Sequence, residues 1–315
     1  MKTSELYPLK LNPSLHVKVW GGRRLADLMG KRLPTAEPYG ESWELHDTAA
    51  VANGPLRGAS LGALALDYGA DLLGVGNDPA AGFPLLAKLI DASDWLSIQV
   101  HPNDEQALSL EGEPRGKTEA WLILHAEPGA QLVIGLQPGT TREQMAEAIR
   151  RNQLEALLVY AEVRSGDVLY IPANTIHALG PGLLIYEIQQ SSDVTYRLYD
   201  WGRLGLDGQP RQLHIDKGLQ VAELGSLPRV RQPENELLVD GEFFQTWRHE
   251  LAGQPRRIET KSRFHALTCI VGVVQVASAE EVVITLNKGE TGLIPACLPS
   301  FVLRGSGTVL RSCQG

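Results

Sequence analysis

Cysteine is scarce in this sequence, and the arrangement of the few cysteines excludes two classes of protein. Cys269, Cys297 and Cys313 are the only three, and no two of them have the Cys-x-x-Cys spacing. Disulfide-stabilised secreted domains and cysteine-ligated zinc sites need larger or more closely spaced sets. We therefore expect neither a disulfide framework nor a cysteine-bound metal, and we predict a reducing, cytoplasmic setting.

Long apolar runs and basic clusters are also missing. No apolar run reaches the roughly 20 residues that a membrane-spanning helix needs, and the first residues lack the apolar core of a signal peptide. Acidic residues outnumber basic ones by 37 to 29, which gives a net charge of −8. Membrane and nucleic-acid partners are therefore not expected, and an anionic ligand would need a local concentration of positive charge. We expect a monomer or a weak homo-oligomer.

Glycine and proline, by contrast, are abundant, and they divide the chain into short segments. The 32 glycines and 19 prolines leave few stretches long enough for helices, so the pattern predicts a mainly β protein. The predicted strands are residues 95–101, 118–125, 131–136, 167–171, 183–189, 266–274 and 281–286.

One stretch has a clear helical pattern. Thr141 is a suitable N-cap for a helix over residues 141–158, with Met145 and Ile149 repeating on one face. Two shorter helices are predicted at residues 22–29 and 61–73. A polar segment with two prolines, residues 227–236, is the predicted linker between two domains.

A weak internal repeat relates the two halves of the chain. Each copy has a glycine, five residues, a proline, four residues and a final position. These positions are Gly166, Pro172 and His177 in the first copy, and Gly289, Pro295 and Ser300 in the second. A turn, a short strand and a proline-led loop explain both copies. We interpret the repeat as a duplication whose second copy has lost its histidine, and we expect no metal in the C-terminal half.

The segment Trp-Leu-Ser-Ile-Gln-Val-His-Pro, residues 95–102, is the most informative in the chain. In a strand, Ser97, Gln99 and His101 share one face, while Ile98 and Val100 share the other. Polar groups on one face of an otherwise apolar strand are costly to bury without a common role. A structural role for a histidine that precedes proline is the alternative reading.

Two further residues, Glu119 and His177, complete a candidate metal site. Glu119 shares a strand face with Lys117, and the proline-led loop delivers His177, with Asn174 suited to a left-handed turn. Two imidazoles, a carboxylate and an amide suit Zn²⁺, although Fe, Co, Ni or Mn would also accept this donor set. The alternative for Glu119 and Lys117 is an ion pair at the surface, which contributes little to stability.

A second polar cluster spans residues 186–203. Glu187 shares a strand face with Gln189, and Asp193, Arg197 and Arg203 follow in a polar loop. A structural ion pair of Arg197 with Asp193 or Asp200 is the alternative to a functional role. The remaining histidines have no informative spacing, and core or surface roles are expected for them: His16, His46, His125, His214, His249 and His265.

Together these motifs resemble the type I mannose-6-phosphate isomerases, in their shorter bacterial form. Gly166-x5-Pro-x-Asn-x-x-His177 is similar to the second cupin motif, with Asn174 where many cupins have glycine. Further blocks in the family's order are Glu-Ser-Trp-Glu at 41–44, Pro-Leu-Leu-Ala-Lys-Leu-Ile-Asp at 84–91, the 96–104 segment, Lys-Thr-Glu-Ala-Trp at 117–121 and Ser-Asp-Val-Thr-Tyr-Arg at 192–197. The likeness runs from about residue 20 to about residue 218.

The resemblance implies a fold of two cupin-like antiparallel β-barrels, or jelly rolls. A metal-binding catalytic domain would occupy residues 1–230, with a small helical insertion at about 140–160. A degenerate cupin-like domain without metal would occupy residues 231–315. One departure from longer relatives is Leu179, which stands where they often carry tyrosine and leaves the sugar contacts open.

The resemblance also implies the chemistry. The enzyme would be an intramolecular oxidoreductase that interconverts mannose 6-phosphate and fructose 6-phosphate through a cis-enediol, with one Zn²⁺ per chain. The implied zinc ligands are Gln99, His101, Glu119 and His177, and the implied active-site arginine is Arg197. The implied pocket residues are Ser97, Lys88, Lys117, Glu187 and Asp193.

The identity of the general base is open among Lys117, Glu187, Asp193 and a metal-bound water. Two other functions also fit the sequence. One is a metal-dependent cupin isomerase or epimerase that acts on another sugar phosphate, and the other is a non-catalytic, sugar-binding double cupin.

Overall fold

In the computed structural model, which describes residues 6–278 and 283–315, the protein is mainly β. The strands are β1 (Leu9–Asn12), β2 (Ser14–Gly22), β3 (Tyr39–Leu45), β4 (Ala50–Val51), β5 (Leu85–Ala92), β6 (Ile98–Val100), β7 (Glu119–Ala126), β8 (Gln131–Leu136), β9 (Leu158–Glu162), β10 (Val168–Ile171), β11 (Ala178–Leu179), β12 (Leu183–Gln190), β13 (Tyr196–Tyr199), β14 (Leu237–Asp240), β15 (Phe244–Ala252), β16 (Arg256–Glu259), β17 (His265–Ser278), β18 (Val283–Asn287), β19 (Thr291–Ile294) and β20 (Ser300–Gln314).

Helices are short and lie mostly in the first 230 residues. The α-helices are α1 (Arg24–Asp27), α2 (Leu61–Tyr68), α3 (Ala70–Leu73), α4 (Asp104–Glu111), α5 (Arg142–Arg150) and α6 (Ile215–Val221), and short 3₁₀ helices cover Pro79–Ala81 and Leu154–Leu157. Within the described part of the chain, no helix has the length and apolar character needed to span a membrane.

Two large antiparallel sheets organise the chain. A six-stranded sheet has the order β10-β7-β12-β5-β3-β2, and smaller sheets, β11-β8-β9 and β13-β6, accompany it. A nine-stranded sheet has the order β14-β15-β20-β17-β19-β1-β4, with β16 on β20 and β18 on β17. Because β1 and β4 pair into the C-terminal sheet, the strand pairing crosses the predicted domain boundary at 230/231. The division into two domains and the two-barrel arrangement stay predictions.

The strand predictions agree with the structure more closely than the helix predictions do. Strand β8 has the predicted bounds, and β12 is one residue longer than predicted. The strand predicted at 95–101 is shorter, because only Ile98–Val100 pairs with β13. Residues 281 and 282 of the predicted 281–286 strand lie outside the described residues, and β18 covers the rest.

The long helix predicted at 141–158 is correct at its start and wrong at its end. Thr141 is the N-cap, and its side chain forms a reciprocal capping box with Gln144. Asn152 has a positive φ of 56°, which a helix does not tolerate, so α5 ends before it. The helix predicted at 61–73 is likewise divided, since Gly69 between α2 and α3 has φ 50°.

The two copies of the predicted repeat have the same local structure. Gly166 and Gly289 both lie in turns with positive φ, 93° and 82°. Each turn leads into a four-residue strand, β10 or β19, that ends directly before Pro172 or Pro295. The predicted turn, strand and proline-led loop are therefore present in both copies.

The two sheets share one apolar core. Phe83, from the first half, packs edge-on against Phe264 from the second, with ring centroids 4.7 Å apart. Burial of one such side chain contributes about 1.5–3 kcal/mol to the free energy of unfolding. Polar contacts join the same faces, because the Tyr186 and Ser312 hydroxyl oxygens are 3.0 Å apart. The C-terminal sheet thus supports the sheet that carries the candidate site.

Candidate metal centre and active site

Three of the four predicted metal ligands form a tight, fully buried cluster. His101 follows β6, Glu119 begins β7, and His177 precedes β11. Glu119 Oε1 lies 3.2 Å from His177 Nε2, and Glu119 Oε2 lies 3.6 Å from His101 Nε2. One ligand atom from each residue lies within 4.8 Å of the other two, a spacing compatible with a shared metal ion.

Backbone hydrogen bonds orient both imidazoles toward the cluster. His101 Nδ1 donates to the carbonyl oxygen of Val194 at 3.0 Å, and His177 Nδ1 donates to that of Thr175 at 2.9 Å. With Nδ1 protonated, each Nε2 presents a lone pair to the centre, the arrangement that metal-binding histidines use. Burial, and then the neighbouring Lys117 ammonium, lower the pKa of His101 well below its usual value, which favours the neutral, metal-binding form.

Gln99 reaches the same centre from the neighbouring strand position. Its backbone forms two hydrogen bonds with that of His177, of 3.1 and 3.0 Å. The Gln99 amide nitrogen lies 3.2 Å from His177 Nε2, and a half-turn of the amide would place its oxygen there instead. The four predicted ligands therefore converge, as the strand alternation and the proline-led loop predict. Asn174, in that loop, has the predicted left-handed conformation, with φ 71°.

The Glu119 carboxylate is the observation that favours a cation at this centre. It is fully buried, and neither oxygen accepts a well-formed hydrogen bond from a described residue, although Lys117 Nζ is 2.8 Å from Oε2. Burial disfavours its charge, but Lys117 and His177 outweigh burial and hold the pKa of Glu119 well below its usual value. A buried, under-coordinated carboxylate beside two imidazoles fits a divalent metal ion.

A polar cavity of about 230 Å³ adjoins the cluster, and Gln99 and Lys117 belong to its wall. All the predicted substrate and catalytic residues line it: Ser97, Lys88, Lys117, Glu187, Asp193 and Arg197. In total its wall carries five cationic side chains and three carboxylates. This acidic protein therefore has the local positive charge that an anionic ligand requires.

Strand register explains the ion pairs on the cavity wall. Glu187 of β12 lies directly opposite Lys88 of β5 on one side and Trp121 of β7 on the other. Its carboxylate accepts a hydrogen bond from Trp121 Nε1 at 2.9 Å and lies 3.1 Å from Lys88 Nζ. Burial disfavours the charge of Glu41, but Lys88 and Lys18 outweigh burial and lower the pKa of Glu41 to about 2.

Arg197 lies beside the His–Glu–His cluster and has no carboxylate partner among the described residues. It is opposite Gln99 in the β6–β13 pair, and its Nη1 donates to the Gln212 carbonyl oxygen at 2.8 Å. Its buried Nε has no hydrogen-bond partner within residues 6–278 and 283–315. The alternative considered from the sequence, an ion pair of Arg197 with Asp193 or Asp200, is not formed. Asp200 pairs with Arg203 and Arg211 instead. Asp193 is exposed at the cavity.

Several cavity residues were not identified from the sequence. They are Lys18, Trp20, Glu41, Thr195 and Arg211. The Glu-Ser-Trp-Glu block contains Glu41, so alternation along β3 offered a signal for that residue. Arg211 had none, because it reaches the cavity from an irregular loop. Arg203, in the predicted polar cluster, is not on the cavity wall and pairs with Asp200.

Comparisons with known proteins identify the family of this chain. The family model "Phosphomannose isomerase type I, catalytic domain" matches residues 8–119, and "Mannose-6-phosphate isomerase, cupin domain" matches residues 234–314. A mannose-6-phosphate isomerase of Streptococcus mutans is 33% identical and covers 97% of this chain and 98% of its own. The Bacillus subtilis mannose-6-phosphate isomerase ManA is 34% identical, over 95% and 96%.

A solved structure extends the agreement to the fold. The crystal structure of the mannose 6-phosphate isomerase from Bacillus subtilis superposes with a TM-score of 0.87 and 31% identity, and covers 98% of this chain and 99% of that one. The match confirms the mainly β, cupin-type fold. By its sequence relatives over nearly the full length and by its fold, this chain belongs to the type I mannose-6-phosphate isomerase family of enzymes.

Proposed function

We propose that this protein interconverts mannose 6-phosphate and fructose 6-phosphate through a cis-enediol. The observation that carries the proposal is the junction of a buried His–Glu–His cluster with a cavity rich in cationic side chains. The reaction moves a proton between C1 and C2, so the site must bind a phosphate, stabilise an enediolate oxygen and hold a proton-transfer group. The cavity wall offers side chains for each task.

We assign the metal site to one Zn²⁺ per chain, held by Gln99, His101, Glu119 and His177. When bound there, the ion supplies Lewis-acid stabilisation of negative charge that develops on substrate oxygens. Since only one of the four ligands is anionic, the loaded centre keeps a net positive charge. Lys117, at 2.8 Å from Glu119, adds positive charge at the same edge of the cavity.

Arg197 is the cation best placed to bind an oxyanion. Lys88 lies close to Glu187, and Arg211 is bound to Asp200, so both are already partly neutralised. In the part of the chain that the structure describes, Arg197 has no carboxylate partner and retains an unused donor, Nε, beside Gln99. Its guanidinium either stabilises the enediolate or binds the phosphate in a bidentate fork. The two roles differ in their effects on kcat and KM.

Three side chains are candidates for the proton-transfer group. Glu187 is buried, and its carboxylate is oriented by Trp121 and Lys88, whereas Asp193 is exposed at the cavity. Lys117 Nζ lies 3.1 Å from His101 Nε2, at the edge of the metal cluster. A general base must reach the substrate proton, and loss of its function commonly lowers kcat by about 10²–10⁴. Comparison of Glu187→Gln, Asp193→Asn and Lys117→Met therefore identifies it.

The reaction is tested directly by a coupled assay of the purified, zinc-loaded protein. We expect turnover of mannose 6-phosphate to fructose 6-phosphate, and much slower turnover with glucose 6-phosphate. Faster turnover of another sugar phosphate would replace the substrate while keeping the reaction class. Binding of mannose 6-phosphate without any turnover by the loaded protein would contradict the proposal and indicate a sugar-binding protein.

A further inference from the structure

A second polar cavity, of about 330 Å³, lies in the C-terminal sheet. Its wall comes mainly from β15, β16, β17 and β20, and it shares no lining residue with the candidate active site. The charged groups in it take no part in the function proposed above. Any ligand of this cavity would therefore bind apart from the residues proposed for the isomerase reaction.

Strand alternation places the cavity on the far side of the sheet from the first half. Trp247 and His249 of β15 line the cavity, while Thr246, between them, contacts Ser312 on the other face. Ser312 in turn contacts Tyr186 of the six-stranded sheet. A ligand in the C-terminal cavity would thus lie on the opposite face of the sheet from the contact between Ser312 and Tyr186.

A buried arginine is the central feature of this cavity. Arg311 is 9% exposed, and its guanidinium stacks on the Trp247 ring at 3.6 Å. Its Nε donates to His249 Nε2 at 3.0 Å, and its Nη1 lies 3.3 Å from His265 Nδ1. Within the described ranges, no carboxylate forms an ion pair with Arg311, although a buried charge normally needs one.

The two histidines do not compensate this charge. His265 Nε2 donates to the Thr260 carbonyl oxygen at 3.1 Å, which leaves Nδ1 as the acceptor for Arg311. Burial, and then Arg311, lower the pKa of His249 to about 4 and that of His265 to about 3. Both imidazoles are therefore neutral at physiological pH, and they orient the guanidinium without neutralising it.

Carboxylates on the cavity wall are occupied by other arginines. Glu236 forms a two-pronged ion pair with Arg256, and Glu259 lies 3.0 Å from Arg257. Glu236 also lies 3.3 Å from His249 Nδ1, so its charge is shared between neighbours at the rim. Neither carboxylate is left to balance Arg311.

Two more cations remain without a carboxylate partner in the structure's described part. Arg263 donates to the Gln245 side chain at 3.2 Å and to the Gln314 carbonyl oxygen at 2.9 Å, and Lys261 is exposed at the rim. With Arg311, three unpaired cations line one cavity. This excess of positive charge around a fixed arginine fork matches a ligand with more than one negative charge.

We propose that the C-terminal cavity binds a phosphate group, either as free phosphate or on a small phosphate monoester. Arg311 supplies the buried anchor, and Arg263 and Lys261 supply charge at the entrance. The volume of about 330 Å³ accommodates a phosphate together with a few attached atoms. This site stands independently of the isomerase assignment, because no residue is common to both cavities.

The test is calorimetric titration of the full chain with inorganic phosphate and, separately, with glycerol 3-phosphate. Arg311→Gln removes the anchoring charge, and we expect binding at one site per chain to weaken at least about tenfold, the scale of one charge-assisted contact. Arg304→Gln is the matched control, since Arg304 is an exposed arginine on the same strand and is not part of the cavity. It should bind like the wild type.

A rim variant separates loss of binding from loss of folding. Lys261→Gln changes an exposed side chain, so it should fold normally and weaken phosphate binding about threefold. Tighter binding of glycerol 3-phosphate than of phosphate would identify a monoester as the ligand, and the reverse would identify the free ion. Isomerase activity of Arg311→Gln without added phosphate should equal that of the wild type. Unchanged phosphate binding in folded Arg311→Gln would overturn the proposal.

Discussion

Two pairs of buried histidines, one in each half of the chain, differ mainly in the charged group between them. His101 and His177 face the Glu119 carboxylate, whereas His249 and His265 contact the Arg311 guanidinium. All four imidazoles are almost fully buried and are held by hydrogen bonds or ion contacts. A carboxylate between two imidazoles attracts a metal cation, while a guanidinium between them repels a metal and attracts an anion.

The comparison shows how one fold supports two kinds of site. The strands determine where the histidines lie. The charge of one neighbouring side chain, negative at Glu119 and positive at Arg311, then determines whether the site favours a cation or an anion. Ser300, which takes the place of His177 in the repeat, is buried at the start of β20 and offers no imidazole. The serine at this position and the presence of Arg311 both act against metal binding in the second half.

The largest effect should come from Arg197, the cation beside the metal cluster. If Arg197 stabilises the enediolate, Arg197→Ala should lower kcat by about 10²–10³, the scale for loss of one oxyanion donor. If it only binds phosphate in the ground state, KM should rise with kcat little changed. Steady-state kinetics on mannose 6-phosphate separate the two roles.

Arg197→Lys keeps the charge but loses the fork, so we expect partial rescue. Zinc content should stay near one per chain in both variants, since Arg197 is not a ligand. A destabilised Arg197→Ala enzyme with normal kcat and KM would remove this residue from the mechanism. A thermal melt beside the kinetics supplies that control.

Acid should lower the free energy of unfolding, because His249 and His265 in the C-terminal half are neutral in the folded protein. Their pKa values in the folded state, about 4 for His249 and about 3 for His265, lie below the unfolded value of 6.5. Below pH 6.5 the unfolded chain therefore binds protons that the folded chain resists, and stability falls as the pH falls toward 4. Each of the two histidines should contribute a loss of about 2 kcal/mol at pH near 5.

Chemical denaturation of the wild type and of His249→Gln/His265→Gln, each at neutral and acidic pH, measures this difference. The double variant cannot bind these protons, so its stability should fall less on acidification. Equal acid sensitivity in both proteins would show that carboxylates alone govern the acid response. It would also contradict the assignment of neutral imidazoles around Arg311.

A smaller effect is expected where the two sheets meet. Tyr186→Phe removes the hydroxyl that contacts Ser312 at 3.0 Å and leaves the ring in the core. The lost hydrogen bond should lower the free energy of unfolding by about 1 kcal/mol. Denaturant titration checks this value, and zinc content should not change. A loss of zinc would mean that the contact between the two sheets, and not the strands that carry the metal ligands, holds those ligands in place.

The proximity of the four candidate metal ligands could be predicted from the sequence because each of them obeys a local rule. Strand alternation placed Gln99 and His101 together, and the left-handed turn at Asn174 delivered His177. The residues that it missed, such as Arg211 and Lys18, reach the cavity through tertiary packing that no spacing rule encodes. The predicted end of α5 was wrong because Asn152 adopts a left-handed conformation that the helical pattern did not reveal.

The C-terminal cavity was also outside the reach of the sequence pattern. His249, His265 and Arg311 lie on three strands that are far apart in the chain, and only the order β15-β20-β17 brings them together. Pairing of β1 and β4 with the C-terminal sheet was missed because both strands are short and lie far from their partners in sequence. Long-range strand pairing is the part of this fold that local patterns leave undetermined.

The most direct test of the account is the metal content of matched histidine variants, measured by mass spectrometry after extensive dialysis. We expect one zinc per chain in the wild type, less than about a tenth of that in His177→Ala, and one zinc per chain in His265→Ala. This outcome would place the metal in the first half alone. Zinc retained in folded His177→Ala, or two metal ions in the wild type with one lost in His265→Ala, would contradict the contrast between the two halves.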